Sequence, residues 1–324
     1  MNLSTKHILS IRDLTLQDVE LILETANNLQ EISKRPVKKV PALRGKTVLL
    51  CFFEDSTRTR ASFDLAAKRL SADTLVFSSS GSALSKGESL LDTIRNLEAM
   101  NPDLLVVRHK LSGIPHLLAK TVGCPVINAG DGLHEHPTQA LLDLMTILQV
   151  KKKVKGLNVA IIGDISQRVA RSNILLLTKM GAHVTVAGPA TMIPSDIEQY
   201  NVDVSYDIRK VIPQSDVLMM LRIQRERQEQ SLFPSLREYA RFFGLNKETM
   251  KDAKKDVVIL HPGPVNRGVE IAPEIADGPH SVILDQVANG VSIRMALLYL
   301  LCGGNEENPK PKKQNPKQIS NPNF

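Results

Sequence analysis

The sequence Asp55-Ser56-Thr57-Arg58-Thr59-Arg60 stands between an apolar run and a segment with helical periodicity. The apolar run, 47–53, predicts a buried strand, and four apolar residues between 63 and 70 predict a helix. The hexapeptide therefore lies where a strand ends and a helix begins. Helix N-termini bind anions through unpaired N–H groups, and the hydroxyls and arginines here suit phosphate oxygens. We prefer an oxyanion site to a merely solvated first turn, because basic residues there oppose the helix dipole.

The same alternation of strands and helices continues along the whole chain. Further apolar runs that predict strands lie at 74–77, 104–107, 125–128, 159–162, 183–187, 217–221 and 257–260. This pattern predicts an α/β protein with two doubly wound parallel-sheet domains of about five strands each. The basic segment 151–155 marks a break between the halves, and the apolar segment 290–302 predicts a helix that packs in a core.

Polar and basic side chains lie after several of these strands, either directly or at the start of the next helix. They include Arg108 and His109, the run from His136 to Gln139, Arg168 and Arg171, Arg222 and Gln224, and the run from His261 to Arg267. Ligands of open α/β sheets bind beyond the carboxyl ends of the strands, so these residues are candidates for one site. For a single arginine such as Arg108, a solvated surface position is an equally good interpretation. Gly163 lacks the two further glycines of a dinucleotide fingerprint, which argues against that cofactor.

The composition excludes several classes of function. The 324 residues carry a net charge of +7, and four of those charges are lysines beyond residue 308, which leaves only +3 for the rest. Aromatic residues make up 4% and Trp is absent, so stacking on nucleic acid is not expected. The three cysteines are far apart and show no zinc spacing. We therefore expect no metal, cofactor, nucleic acid or membrane partner, and a cytoplasmic location.

A hydroxyl-rich segment, 78–88, contains one cation, Lys86, and few apolar residues. Long loops of this kind are often functional, and an unstructured surface loop is the equally weighted alternative.

The assembled motifs resemble those of the aspartate/ornithine carbamoyltransferase family over residues 5 to about 302. Ser56–Arg60 resembles its carbamoyl phosphate signature, and His136-Pro-Thr-Gln139 resembles its second signature in the aspartate form. The run 221–227 is also similar to the aspartate enzymes. Ornithine enzymes carry Cys-Leu-Pro where this chain has His261-Pro-Gly-Pro264. The resemblance implies an enzyme that carbamoylates aspartate; an ornithine-type enzyme and a non-catalytic assembly subunit are the alternatives.

The resemblance also implies roles for individual residues. Carbamoyl phosphate would be bound by Ser56, Thr57, Arg58, Thr59, Ser82, Lys86, Arg108, His136, Gln139, Pro262 and Gly263. Aspartate would be bound by Lys86, Arg168, Arg222 and Gln224, and the catalytic residues would be Arg58, Thr59, Lys86, Arg108 and His136. The segment before Arg168 looks one residue shorter than in the family, which makes Arg171 its rival.

The resemblance also implies a domain organisation and an oligomeric state. Residues 1–138 and 286–305 would bind carbamoyl phosphate, residues 139–285 would bind aspartate, and residues 306–324 would form a disordered tail. Ser82 and Lys86 would enter the active site of a neighbouring subunit, which implies a homotrimer. Relatives associate with regulatory or dihydroorotase-type chains, and the sequence does not choose between them.

Overall fold

The protein contains two parallel β-sheets with helices on their faces. This computed structural model describes residues 2–78, 88–223 and 234–303. The helices and strands are α1 (Leu16–Gln30), β1 (Thr47–Phe52), α2 (Thr57–Arg69), β2 (Asp73–Ser78), α3 (Leu90–Glu98), β3 (Leu104–His109), α4 (Ile114–Ala119), β4 (Val126–Asp131), α5 (Pro137–Lys151), β5 (Asn158–Ile162), α6 (Arg168–Lys179), β6 (His183–Ala187), β7 (Asp203–Ser205), α7 (Ile208–Val211), β8 (Val217–Met220), α8 (Leu236–Phe243), β9 (Val258–Leu260), α9 (Pro273–Ala276) and α10 (Ile283–Cys302).

The order of the strands places the functional loops. The first sheet has the order β2-β1-β3-β4 and the second has the order β7-β6-β5-β8-β9. All pairs are parallel, so every strand of a sheet points its carboxyl end to the same edge. The direction of winding reverses between β1 and β3 and again between β5 and β8. Crevices open at such switch points, and Arg58, Arg108, Arg168 and Arg222 lie at the ends of these four strands or at the starts of the helices that follow them.

The C-terminal helix packs against the first half of the molecule. Helix α10 contacts α1, α2 and α5, which confirms the predicted fold class and the predicted return of this helix to the first domain. It begins at Ile283, seven residues before the predicted start at Gly290. Gly290 therefore lies within the helix. A Cβ there would lie 3.2 Å from the Leu142 side chain of α5, so the glycine permits the two helices to pack closely. The predicted domain limits remain predictions.

The first sheet has four strands in the described residues, not the predicted five. Ile8 makes only an isolated parallel bridge with Ile127, and the chain then turns into a short 3-10 helix, Ile11–Asp13. Thr15 caps α1 as predicted, through a capping box with Asp18. Within the described part of the chain, no helix combines the length and apolarity needed to cross a bilayer.

Candidate active site

A cavity of about 510 Å³ lies where the carboxyl edges of the two sheets face each other. Eleven of the predicted site residues line it: Ser56, Thr57, Arg58, Thr59, Arg108, His136, Gln139, Arg168, Arg222, Pro262 and Gly263. The other three, Ser82, Lys86 and Gln224, lie outside the described residues, as does the predicted tail 306–324. The fold thus brings together residues that the sequence spreads over more than two hundred positions.

The N-terminus of α2 forms one wall of the cavity. Ser56 occupies the N-cap position, but its side chain makes no capping hydrogen bond, and the first turn contains no acidic residue. The hydroxyl and the first N–H groups of the helix are therefore available to a ligand. Arg58 extends from this turn, and desolvation together with the nearby Arg222 lowers the pKa of its guanidinium. Two neighbouring cations at a helix N-terminus favour a bound anion.

A carboxylate that sequence reasoning missed joins two of the predicted arginines. Arg168 donates from Nη2 to Glu54 Oε1 at 3.0 Å and to Oε2 at 2.8 Å. Arg108 forms an ion pair with the same Oε2 through Nε at 3.3 Å. Glu54 follows β1 of the first sheet and Arg168 begins α6 of the second half, so this ion pair links the two halves.

Gly130 allows the two arginines to approach the end of β4. Its φ of +114° is a backbone conformation that favours glycine. A Cβ at this position would lie 3.0 Å from Arg108 Nη1 and 3.3 Å from Arg168 Nε. Arg108 Nη1 also donates to the carbonyl of the adjacent Ala129 at 3.1 Å. The glycine therefore makes room for the arginine pair as well as for the turn.

Hydrogen bonds to the backbone and ring of His136 hold this cavity-lining residue in its loop. Its N–H donates to Ser172 Oγ at 2.8 Å, and its Nδ1 lies 3.5 Å from Thr138 Oγ1. Arg294 Nη2 donates to that same hydroxyl at 3.5 Å. Since guanidinium is only a donor, the hydroxyl proton can point to Nδ1, which leaves the histidine proton on Nε2. In this orientation Nε2 is the ring nitrogen that can donate a hydrogen bond to a ligand.

Arg294 is a second residue that sequence reasoning missed. It lies in the apolar helix α10, is only 4% exposed, and stacks over Phe63 with 5.1 Å between Cζ and the ring centroid. Burial lowers its pKa to about 10, and Asp143 opposes that shift. Its signal in the sequence is a single charge within the apolar run 290–302, because a buried charge requires partners.

A buried carboxylate beneath the cavity positions Gln139. Asp143 accepts hydrogen bonds from Gln139 Nε2 at 2.9 Å, Gln286 Nε2 at 2.7 Å and Asn173 Nδ2 at 2.8 Å. Burial raises the pKa of Asp143 to about 6, although these donors and Arg294 act in the opposite direction. The network joins α5, α6 and α10, and it fixes the amide of Gln139 by its nitrogen.

The loop after β9 forms the opposite wall. His261 accepts a hydrogen bond from the Gly263 N–H at Nδ1, 2.9 Å away, and its Nε2 lies 3.1 Å from Glu270 Oε1. Gly263 has a φ of +65°, and a Cβ there would lie 3.6 Å from Arg58 Nε. Glycine thus allows the loop backbone to approach the guanidinium.

The structure distinguishes Arg168 from Arg171, the alternative candidate for the same role. Arg168 lines the cavity and is 4% exposed, whereas Arg171 lies outside the lining and stacks over Tyr200 at 5.9 Å. Gln167, which sequence reasoning missed, donates to the Arg222 carbonyl at 2.8 Å and so connects the ends of β5 and β8. Although the segment before Arg168 looks one residue shorter than in the family, Arg168 still lines the cavity.

The electrostatics of the cavity favour an anionic ligand. Five arginines line it: Arg58, Arg108, Arg168, Arg222 and Arg294. Asp55 is the one carboxylate among its described lining residues. Glu54, which is outside the lining, forms ion pairs with Arg108 and Arg168. Several converging guanidiniums can bind a phosphate and carboxylates together, since each presents a planar fork of donors.

Comparison with known proteins identifies the family. A family model described as "Aspartate/ornithine carbamoyltransferase, carbamoyl-P binding domain" matches residues 6–149, and the corresponding Asp/Orn binding domain matches residues 155–301. The chain belongs to the aspartate/ornithine carbamoyltransferase family. The two matches together span most of the chain, as the sequence predicted.

Individual members of the family are similar over nearly their whole length. The aspartate carbamoyltransferase catalytic subunit of Syntrophus aciditrophicus is 61% identical over 304 residues, which are 94% of this chain and 99% of that protein. The aspartate transcarbamoylase of Trypanosoma cruzi, solved with carbamoyl phosphate and aspartate, has a TM-score of 0.83 at 30% identity, covering 92% of this chain and 97% of that one. The ornithine carbamoyltransferase of Pyrococcus furiosus reaches 0.84 at 31% identity, covering 94% and 100%. The relatives confirm the aspartate-type enzyme predicted from the sequence, while the fold alone suits both branches.

Proposed function

We propose that the chain transfers the carbamoyl group of carbamoyl phosphate to the amine of L-aspartate, giving N-carbamoyl-L-aspartate and phosphate for pyrimidine synthesis. The observation that carries this proposal is the cavity between the sheets, where five arginines converge with His136 and Gln139. The substrates together bring one phosphate and two carboxylates, which match this surplus of positive charge. The chemistry requires no protein nucleophile.

The phosphate binds at the N-terminus of α2. Ser56, Thr57 and Thr59 contribute hydroxyl or N–H groups, and Arg58 contributes its guanidinium. Arg108 and His136 polarise the carbamoyl carbonyl, with the His136 proton on Nε2 as the Thr138 contact favours. Gln139, fixed by Asp143, accepts from the carbamoyl amide through its oxygen, and the backbone carbonyls of Pro262 and Gly263 accept from the same group.

The aspartate carboxylates bind to Arg168 and Arg222, with Gln224 beside them in the sequence. The amine nitrogen attacks the carbonyl carbon and forms a tetrahedral oxyanion. The carbon–oxygen bond to phosphate then breaks, and the amine proton passes to the departing phosphate. Proximity of two oriented substrates contributes roughly 7–11 kcal/mol, and each lost oxyanion donor costs about 3 kcal/mol.

Ser82 and Lys86 complete the site from a neighbouring subunit of a homotrimer, and the enzyme works in the cytoplasm. Support for the trimer comes from the family resemblance of the hydroxyl-rich segment. Mixed trimers of inactive Lys86→Ala and inactive Arg58→Ala chains should regain part of the activity, because one intact site forms from two different chains. Mixtures that stay inactive after reassembly contradict the shared site.

A transfer assay with purified chain tests the reaction. Carbamoyl phosphate is offered with L-aspartate and, separately, with L-ornithine, and each product is separated and quantified. We expect carbamoyl-aspartate alone, because two arginines suit a dicarboxylate and repel the side-chain ammonium of ornithine. Product from ornithine alone would overturn the substrate assignment, and product from neither would overturn the catalytic role.

A further inference from the structure

Three side chains with metal-binding atoms lie together outside the active-site cavity. Asp131 ends β4, His134 follows in the loop before α5, and His116 lies on α4. One ligand atom from each residue can be chosen so that all three lie within 4.8 Å of one another. The catalytic chemistry uses none of these residues.

The arrangement of the two rings and the carboxylate suits a metal ion. His134 Nδ1 lies 3.2 Å from Asp131 Oδ2, and the His116 and His134 rings meet edge to face with centroids 5.5 Å apart. Ligands at about 2.0–2.1 Å from a tetrahedral zinc ion are roughly 3.4 Å apart, so small rotations of the rings complete the geometry. His116 Nδ1 is buried and has no hydrogen-bond partner among the described residues.

The carboxylate is held in place from behind, as metal ligands usually are. Asp131 Oδ2 accepts from the Gly113 N–H at 2.7 Å, and Oδ1 accepts from Asn128 Nδ2 at 2.8 Å. These two donors fix the orientation of the carboxylate.

We propose that His116, Asp131 and His134 form a binding site for a divalent transition metal ion of the zinc class. Two imidazoles and one carboxylate favour Zn²⁺, Co²⁺ or Ni²⁺ over Mg²⁺ and Ca²⁺, which prefer oxygen ligands alone. The side chain of His134 is 30% exposed, which leaves an open direction for a water ligand. Sequence analysis predicted no metal because these residues do not form a recognisable short spacing.

The position of the site suggests what the ion does. Gly132 and Leu133 lie between two of the proposed ligands and line the active-site cavity, and His136 follows two residues after His134. An ion bound here ties α4 to the loop that carries His136. It therefore acts as a structural clamp at the rim of the cavity, apart from the carbamoyl-transfer chemistry.

Metal titration of the untagged full chain tests the proposal. After treatment with a chelator, Co²⁺ is added and followed by visible absorption, and Zn²⁺ is followed by equilibrium dialysis. We expect one ion per chain and a higher Tm with metal. His134→Asn and His116→Asn should each weaken binding by more than about tenfold, while His183→Asn, an exposed histidine on β6, should bind as the parent chain does.

Three results would contradict the proposed metal site. Unchanged binding in both histidine variants overturns the site, and so does an absence of binding in the parent chain. A thiolate charge-transfer band with Co²⁺, lost in Cys124→Ser, would place the ion elsewhere. Circular dichroism verifies folding, and if His134→Asn does not fold, His116→Asn on α4 decides the question.

Discussion

The arginines around the cavity differ in what neutralises their charge. Arg108 and Arg168 are 7% and 4% exposed, and they share the carboxylate of Glu54. Arg58 is exposed to the cavity, has no carboxylate partner among the described residues, and has its pKa lowered by desolvation and by Arg222. Arg108 and Arg168 are therefore compensated within the protein, while in the proposed function Arg58 takes its counter-charge from the phosphate.

The difference follows from burial. A buried guanidinium without a counter-charge is costly, so Arg108 and Arg168 require Glu54 in the unliganded protein. An exposed guanidinium remains hydrated and can exchange water for phosphate oxygens. Arg108 and Arg168 thus link the halves of the molecule through Glu54, and in the proposed function Arg58 contributes binding energy for the phosphate.

The largest expected effect comes from removing the ligand-facing charge. Arg58→Gln should lower kcat/KM by about a hundred- to a thousandfold, because the phosphate and the developing negative charge lose a donor. Steady-state kinetics with varied carbamoyl phosphate measure the loss. Arg60→Gln, an exposed change in the same helical turn, is the matched control and should retain activity. Equal losses of kcat/KM in both variants would mean that Arg58 contributes no more to the reaction than its exposed neighbour Arg60.

A smaller effect is expected when the internal counter-charge is removed. Glu54→Gln keeps the size of the side chain but leaves Arg108 and Arg168 without their shared carboxylate. Misplacement of Arg168 should lower kcat/KM for aspartate by about ten- to a hundredfold. The KM for carbamoyl phosphate should change less than the KM for aspartate. An equal rise in both constants would mean that Glu54 acts through Arg108 as much as through Arg168.

A third test concerns the carboxylate that holds Gln139. The folded-state pKa of Asp143 is about 6, above its unfolded value of 3.8, so the folded protein binds more protons between these values. This group is therefore less stabilising as the pH rises through that window. The unfolding free energy of the parent chain minus that of Asp143→Asn should fall by about 2 kcal/mol from about pH 4.5 to about pH 7.

Urea unfolding at several pH values measures this difference. Glu31→Gln, which removes an exposed ion pair with Lys34, provides a reference curve without a buried carboxylate. A flat difference across the window would show that Asp143 titrates alike in the folded and unfolded chains.

The smallest effect is expected far from the cavity arginines. Thr15→Ala removes the side-chain half of the capping box with Asp18 and should cost about 1 kcal/mol of stability. Because α1 does not line the cavity, kcat should stay unchanged. Denaturant unfolding and the transfer assay on the same sample check both statements. A fall in kcat here would show that activity in the other variants reports general stability.

Local patterns in the sequence were sufficient for much of the site. Residues 55–59 of the hexapeptide, Arg108 near the end of β3, and His136 and Gln139 are predicted from strand ends and helix starts, and all of them line the cavity. Period-two and helical patterns report on neighbours along the chain, so they locate strands, helices and the loops between them. The predicted start of the last helix at Gly290 is wrong, because the helix begins at Ile283.

The sequence by itself determined the alternation of strands and helices, the family and the residues at the ends of the strands. Tertiary structure decided which of those residues meet and what compensates them. Glu54 and Arg168 are 114 positions apart, and Asp143 and Gln286 are 143 apart. No spacing rule connects such pairs, because their contact arises only when the two sheets pack and bury the charges together.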